Sequence, residues 1–466
     1  MVNNLKRKWI RCYLTRSDPE SLVYGLADKV ISAFHSAVEK SEAYRKIIEG
    51  QSIRPGDIRT LEEFRKRIPV IDKNNFFSVF PLNEIIAQGY FKKIKNIMTS
   101  SGFSGRFAFG ADLRDGARTG RFFVDTALDL LFSTTRKKTF LINCTPMGVH
   151  VETSLPLAET SVRSDMAIAL LQKVSAFYEQ TIIIGDPYFI KKLVEEGCEA
   201  GIPWKKLAVS LVLGQDWFPE SLRSYLASLM DIDPDTETDR LILGTMGLTE
   251  LGLNVFHETP ETVKIRRMAQ RDDPFREKLF GTEKAACGYL FHYYPMRFFI
   301  EEYTDSSLLF TILSKSAAIP LIRYYSGDCG KLISYNNLSK LLAGFKMEHL
   351  NPVLKLPLVT MTGRSSNCLR LESSTIYPED LKLGLYEDWN AARQVTGYFV
   401  LSAERDLPVI EVQLKPDIVP SATLYSLYSK ALQQYVKPEL KIKLYRYNDF
   451  PYGMELNYEK KFLNIK

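Results

Sequence analysis

The chain has 466 residues, 45% hydrophobic and 25% charged, a balance that fits a globular protein and excludes a disordered or low-complexity one. That length exceeds one compact core and predicts two or three domains. The 61 basic and 55 acidic residues leave a net charge of +6 spread along the chain, which fits a small anionic ligand and argues against nucleic acid.

Residues 19–49 predict one long helix. Leu22, Val23, Leu26, Val30, Ile31, Phe34 and Val38 recur at steps of three and four, and Gly50 can end it. His35 falls on or beside that apolar face and reads as structural. Pro55-Gly56-Asp57 predicts a turn, and Thr60-Leu-Glu-Glu63 a capped helix start. After strand-like residues at Ile94 and Ile97 comes Thr99-Ser-Ser-Gly-Phe-Ser-Gly-Arg106. The glycines let successive backbone N–H groups point at one spot, which makes an anion nest. The hydroxyls add donors and Arg106 a fixed charge, so the stretch reads as a loop closing over a polyphosphate. It lacks the Gly-Lys-Ser/Thr ending of a P-loop, and taken alone such a stretch is more often a plain surface loop.

From 139 to 255, strand and helix signals alternate. Strands are expected at 139–143, 180–184, 207–213 and 240–243, and helices at 165–178, 187–200 and 220–230. Such alternation predicts a parallel sheet covered on both faces, with ligands at the carboxyl ends of its strands. The loops at Gly214, 244–250 and 99–106 would then share one cleft. Past 364 the pattern becomes short strands at 397–402, 409–414 and 440–447 around a helix at 422–435, a small α+β unit.

Cys12, Cys144, Cys198, Cys287, Cys329 and Cys368 form no CxxC pair, so neither a disulfide framework nor a zinc ribbon is expected. A reducing, cytoplasmic setting follows. The basic N-terminus has no apolar stretch behind it, and no run approaches about eighteen apolar residues, so no signal peptide and no membrane span are expected.

Further segments carry chemistry. Leu243-Gly-Thr-Met-Gly-Leu-Thr-Glu250 ends in a hydroxyl and a carboxylate, a pair suited to a phosphate oxygen and, through the carboxylate, a magnesium ion. Ile322-Arg-Tyr-Tyr-Ser-Gly-Asp328 puts an acceptor-only group on a turn, which suits ribose hydroxyls. Thr362-Gly-Arg364 places an arginine on a turn, and Tyr458-Glu-Lys-Lys-Phe462 puts lysines in the tail. Each also has a plain structural reading, as a helix-start acid, a turn former or tail solvation.

In this order and spacing the segments resemble the AMP-forming adenylate ligases: acyl-CoA synthetases, peptide-synthetase adenylation domains and luciferases. The phenylacetate-CoA ligase branch is the most similar. Its Ser-Ser-Gly-Thr-Thr-Gly is matched by Ser100-Ser-Gly-Phe-Ser-Gly105, and its Gly-Ala-Glu-Pro-Trp by Gly214-Gln-Asp-Trp-Phe218. Its Tyr-Gly-Leu-Ser-Glu is matched by Met246-Gly-Leu-Thr-Glu250, and its Arg-Tyr-Arg-Thr-Gly-Asp by Arg323-Tyr-Tyr-Ser-Gly-Asp328. The Gly-Arg-x-Asp-Asp hinge is matched by Gly363-Arg-Ser-Ser-Asn367, the later Phe-Pro by Tyr377-Pro378, and the tail Glu-Gly-Lys by Glu459-Lys-Lys461. Ile68-Pro69-Val70 is similar to the branch's lead-in to the phosphate loop.

The resemblance implies an α/β fold: a large N-terminal domain of stacked mixed sheets flanked by helices, residues 1–364, and a small mobile α+β C-terminal domain, residues 365–466. It implies ATP-dependent activation of an acyl or aryl carboxylic acid as its adenylate, then transfer to the thiol of coenzyme A or of a carrier protein. The cofactors implied are ATP and Mg2+, with coenzyme A as candidate acceptor, in a monomer or homodimer. Thr99, Ser100, Ser101, Gly102, Ser104, Gly105 and Arg106 would close on the β- and γ-phosphates. Gly214, Gln215 and Asp216 would line the adenine and acyl pocket, with Met246 near adenine. Thr249 would contact phosphate and Glu250 the magnesium. Asp328 would hold the ribose with Arg364 close by. Lys461, rather than Lys460, would bridge the carboxylate and the α-phosphate.

The departures are local. Phe103 removes a hydroxyl from the phosphate loop, and Met246 replaces an aromatic. The hinge aspartate falls on Ser366 and a later loop glycine on Ser373, which touches the thioester half of the cycle and leaves the adenylation half matched. Two other readings stay open: an acyl-protein synthetase or amide-forming ligase, and an AMP-binding module without turnover. His150 reads as a pocket or loop residue. His257, Cys287 and His292 match no standard zinc spacing. Lys264, Arg266, Arg267 and Arg271 read as a solvated helix face.

Overall fold

The computed structural model describes residues 2–100, 107–113, 116–282, 284–364, 367–372, 374–452, 458, 462 and 464–466. A helix at Val2–Arg16, which the periodicity did not announce, opens the chain and ties itself to the helix Gly116–Phe132 through Arg7 and Asp125, 2.7 Å apart and buried. The single helix expected over 19–49 is broken. Pro19–Leu22 is a 3-10 turn, Gly25 takes a φ of +67°, and helices follow at Leu26–Lys40 and Glu42–Gly50 with Ser41 extended between them. A left-handed glycine and an extended serine end helices whatever the spacing of the apolar residues around them. The helix Leu61–Arg67 starts on the expected capping box of Thr60 and Glu63.

Strands β1 (Ile94–Thr99) and β2 (Phe109–Leu113) form an antiparallel hairpin. Next come β3 (Thr139–Cys144), β4 (Leu157–Glu159), β5 (Gln180–Gly185), β6 (Val209–Leu213) and β7 (Ile242–Leu248). Then follow β8 (Gly252–His257), β9 (Tyr289–Tyr293), β10 (Phe298–Glu302), β11 (Ser307–Ile312), β12 (Tyr324–Ile333) and β13 (Leu358–Arg364). Among the described residues these last eleven form one sheet in the order β10-β11-β12-β13-β9-β8-β7-β6-β5-β3-β4. The β4-to-β7 side is parallel, as the strand–helix alternation requires, and the side from β8 to β10 is antiparallel. The two join within β7, whose start pairs with β6 in parallel and whose end pairs with β8 antiparallel. The fold is therefore the mixed α/β class expected, and its reversal of strand direction opens a crevice at the carboxyl ends of β6 and β7.

Beyond 364, β14 (Leu369–Arg370) and β15 (Thr375–Ile376) make a small ribbon, while β16 (Val395–Glu404), β17 (Leu407–Leu414) and β18 (Lys441–Tyr445) form a separate sheet. The helices Pro378–Leu385 and Ala422–Gln433 pack against each other beside it. This unit docks on the helix Pro187–Glu199: Lys191 Nζ donates to the Val395 carbonyl at 2.9 Å, and Lys415 pairs with Glu195 at 2.7 Å. No described helix is long and apolar enough to cross a membrane, and none of the six cysteines is in a disulfide.

Candidate active site

Three loops singled out in the sequence meet. Met98 and Thr99 at the end of β1, Gly214 and Gln215 after β6, and Gly244, Thr245 and Gly247 to Thr249 along β7 line one cavity of about 390 Å³. Ser100 closes the β1–β2 hairpin: its N–H donates to the Ala108 carbonyl, and the Ala108 N–H donates to its Oγ, both at 2.9 Å. Gly110 of β2 sits so close to the turn after β7 that a Cβ there would collide with the Thr249 carbonyl oxygen. Glycine thus permits the contact that brings this hairpin to Thr249. Ser101, Gly102, Ser104, Gly105 and Arg106 lie outside the described residues, as do Lys461, Ser366 and Ser373.

The acidic residues come together across β7, β12 and β13. Thr249 and Glu250 form the turn between β7 and β8, and Tyr324 Oη donates to Glu250 Oε1 at 2.6 Å. Asp328 stands opposite Arg364 in the β12–β13 register, and Arg364 Nε donates to Asp328 Oδ1 at 3.1 Å. Ser326 Oγ donates to Asp328 Oδ2 at 2.7 Å. Asp328 pushes the Arg364 pKa up, burial opposes it, and Glu250 and Tyr324 reinforce it, so the guanidinium stays charged. Burial first, then Glu250, keeps the Tyr324 phenol protonated and hence a donor. Tyr324 stands in the Arg-Tyr-Tyr-Ser-Gly-Asp segment, but β8 to β11 separate it from Glu250 along the chain, so the sequence carried no signal of the contact.

Gln215 holds a φ of +74°, turning the chain between β6 and Asp216. Asp216 does not face the apolar cavity. Its Oδ2 accepts from Lys382 Nζ at 2.9 Å, a residue of the helix Pro378–Leu385. Beside it, the Asp186 carboxyl is pushed up to about 7, by burial and then by the Asp216 charge, against the donated N–H groups of Phe189 and Tyr188. Gln215 and Asp216 share a small cavity with Tyr398, Tyr458 and Phe462, the described residues nearest Lys461 in sequence. Met246 is half-buried opposite Phe256 in the β7–β8 register.

Beneath these loops lies a buried ionic network that corrects one expectation. Arg266 and Arg267 are not on a solvated face. Arg266 is fully buried, pairs with Glu220 at 3.0 Å and Glu258 at 3.4 Å, and lies 4.2 Å over the Tyr289 ring. Arg267 pairs with Asp235 at 2.9 Å; Arg271, by contrast, is exposed. Glu258 also accepts from Arg223 at 2.8 Å and from the Gly244 N–H. Period and charge cannot reveal this, because the acidic partners come from residues 220, 235 and 258.

The possible metal trio separates. His257 and His292 face each other across β8 and β9, whereas Cys287 packs in a different apolar cluster, and the described residues hold no group of three metal-ligating side chains. His150 is an exposed loop residue bonded to Glu159 at 3.0 Å. His35 accepts a structural role, bonded to the Ile58 carbonyl oxygen at 3.1 Å.

No protein-family model and no curated protein matches the chain. Solved structures do. A 2-hydroxyisobutyryl-CoA ligase in the postadenylation state, in complex with R3-HIB-AMP, superposes with a TM-score of 0.66 at 13% identity, over 95% of this chain and 88% of that one. The same ligase with 2-HIB-AMP and CoA in the thioesterification state gives 0.55 at 14% identity, over 97% and 90%. An anthranilate CoA ligase in complex with anthranoyl-AMP gives 0.50 at 12% identity, over 79% and 66%. The fold is thus that of AMP-forming CoA ligases across nearly the whole chain.

Proposed function

We propose that this chain is an ATP-dependent, AMP-forming carboxylate ligase. The observation that carries the reading is the convergence of Thr249, Glu250, Tyr324, Asp328 and Arg364 beside a cavity whose described walls bear no charged side chain. Such a cavity suits the body of an acid, and the charged cluster suits a nucleotide. The carboxylate oxygen attacks the α-phosphorus of ATP, the bond to the β-phosphate bridging oxygen breaks, and pyrophosphate leaves. Thr249 and the loop 99–106 hold phosphate oxygens, Asp328 accepts from the ribose hydroxyls, and Arg364 keeps Asp328 in place. Lys461 offsets the repulsion between carboxylate and phosphate, which is where transition-state charge is concentrated.

Glu250 fits a divalent cation: among the described residues only Oε1 receives a hydrogen bond, from Tyr324. A bound Mg2+ would neutralise phosphate charge. The acyl-adenylate is then taken by a thiol of coenzyme A or a carrier protein, with AMP leaving. We place the domain boundary at 364/365, where β13 hands the chain to the smaller sheet. Of the two states of that ligase the postadenylation one has the higher score, which supports a C-terminal unit docked as in that state.

The test is ATP–pyrophosphate exchange across a panel of carboxylic acids, with and without coenzyme A. Lys461→Ala is expected to lower exchange by on the order of a hundredfold while ATP still binds. Wild-type exchange in Lys461→Ala, with loss in Lys460→Ala, would move the role by one residue; exchange unaffected in both would remove the tail from the mechanism. Absence of exchange with every acid would overturn the function.

A further inference from the structure

The net charge of +6 is not spread evenly along the chain. Lys6, Arg7, Lys8, Arg11 and Arg16 all fall in the helix Val2–Arg16, and no acidic residue precedes Asp18. The helix divides these cations between two faces. Arg7, Ile10 and Leu14, at steps of three and four, turn inward. Arg7 pairs with Asp125 at 2.7 Å, and Leu14 packs with Leu22, Tyr294, Leu354 and Leu356, with Ile10 against that cluster. Arg11 is held by Asp129 at 3.7 Å.

Lys6, Trp9, Tyr13 and Arg16 follow the same steps on the outward face, with Lys8 beside them, and all five are exposed. Trp9 is 66% and Tyr13 37% exposed, and their rings stack on each other at 5.3 Å. Among the described residues no carboxylate pairs with Lys6, Lys8 or Arg16. The nearest acids in sequence, Asp18 and Glu20, lie past the helix end, where Asp18 caps the next turn and Glu20 accepts from Asn336. The inner face therefore anchors the helix, and the outer one offers aromatic rings ringed by unpaired cations.

We infer that this outward face docks on an anionic lipid surface. Aromatic rings with a polar edge suit the headgroup level of a bilayer, and lysine and arginine stems reach past them to the charged headgroups. Charge decides between occupants. A second copy meeting this face through its own would set Lys6, Lys8 and Arg16 against their equivalents, with no acid on the face to answer them. A plain polyanion answers the cations and leaves the two rings in water, whereas a lipid surface answers both. The helix lies on Gly116–Phe132, whose Val124, Ala127, Leu128 and Leu131 line the acid cavity, so a docked surface stands one helix away from the cavity that suits an apolar acid. The docking itself does not depend on the function proposed above.

The experiment is cosedimentation of the full chain with vesicles of phosphatidylcholine alone and of phosphatidylcholine with phosphatidylserine, at low and raised salt, with tryptophan emission recorded. The wild type is expected to bind the anionic vesicles, to leave them as salt rises, and to show a blue shift on binding. Trp389 is exposed as well, so Trp9→Phe assigns the shift: it should vanish in that variant while binding persists. Replacing Lys6, Lys8 and Arg16 with Gln should weaken binding by about fivefold for each cation removed. Trp9→Ser should weaken it too and leave its salt dependence in place. Melting curves establish folding; should the triple variant fail to fold, Lys8→Gln and Trp9→Phe decide. Four results overturn the inference: no vesicle binding by the wild type, equal binding to neutral and anionic vesicles, binding untouched by loss of the three cations, and a blue shift that persists in Trp9→Phe. So does capture of polyglutamate through the same cations without vesicle binding, which makes the face a polyanion site. A dimer in sedimentation that Trp9→Ser splits, again without vesicle binding, overturns it in favour of an interface between copies.

Discussion

Asp328 illustrates how much a single residue owes to its partners. Ser-Gly-Asp suggests a bend, but Asp328 lies within β12, where the pairing with β11 shifts register. Its pairing with Arg364 had no signal in the sequence, because the two are brought opposite by the β12–β13 register. If Asp328 accepts from ribose, Asp328→Ala should weaken ATP binding by about 1.5–3 kcal/mol, the range for bonds to a charged acceptor. Calorimetric titration with ATP checks this; unchanged affinity removes Asp328 from the nucleotide site. Arg266 makes the same point from the packing side. Arg266→Ala leaves Glu220 and Glu258 short of a buried counter-charge, and a loss of about 3–5 kcal/mol in urea unfolding is expected. Its place on a helix was legible from the run Lys264 to Arg271, but its burial was not, since an arginine is interior only when acids from elsewhere meet it.

At the scale of elements, periodicity performed best where flanking signals were local. The helix Leu61–Arg67 begins on its predicted capping box, and the strands β3, β5 and β6 fall on their apolar runs. It failed at 19–49, where the apolar spacing continued across Gly25 and Ser41 while the backbone did not. β7 is longer than expected because its second half, Thr245 to Leu248, is held by β8 rather than by its own composition. The approach of the β1–β2 hairpin to the β7–β8 turn depends on one atom. Gly110→Ala should push the two apart and lower stability by about 1–3 kcal/mol, the usual range for overpacking. Pyrophosphate exchange should fall more than exchange in a surface control, because Thr249 moves with the turn; melting curves and exchange rates read the two effects.

One hydrophobic cluster runs through the smaller sheet's unit and the rest of the molecule, and charges cross the same junction. Lys382 binds Asp216, and Lys284 reaches Glu379 at 3.5 Å. Asp186 lies at this junction with a carboxyl raised from 3.8 to about 7. The unfolded chain loses that proton near 4 and the native one near 7, so between them the native state holds more protons. Its contribution to stability is therefore full below about 4 and is lost as pH rises through about 7. Asp186→Asn keeps an oxygen for the N–H groups of Tyr188 and Phe189 and removes the titration. Unfolding free energy in the variant should vary less between pH 4 and 7, and at pH 8 it should exceed the wild type's by on the order of 1–3 kcal/mol. A parallel pH profile for the two proteins would show that Asp186 titrates normally.

By itself the sequence determined the class of fold, the parallel strands β3, β5 and β6 with the helices between them, the loops that bear hydroxyls, glycines and carboxylates, and their collinear resemblance to the adenylate-forming ligases. These are local properties: period, caps, turns and short spacings fix them within a few residues. Only the tertiary structure decided that Tyr324 donates to Glu250, that Asp216 belongs to a junction with Lys382, that Arg266 is interior and that His257 is buried with neither ring nitrogen bonded. Each of those depends on segments tens to hundreds of residues apart, joined by a strand order in which neighbours in space are not neighbours in sequence. No spacing rule reaches across such a sheet, because the partner of a side chain is set by register and packing and not by the residues beside it in the chain.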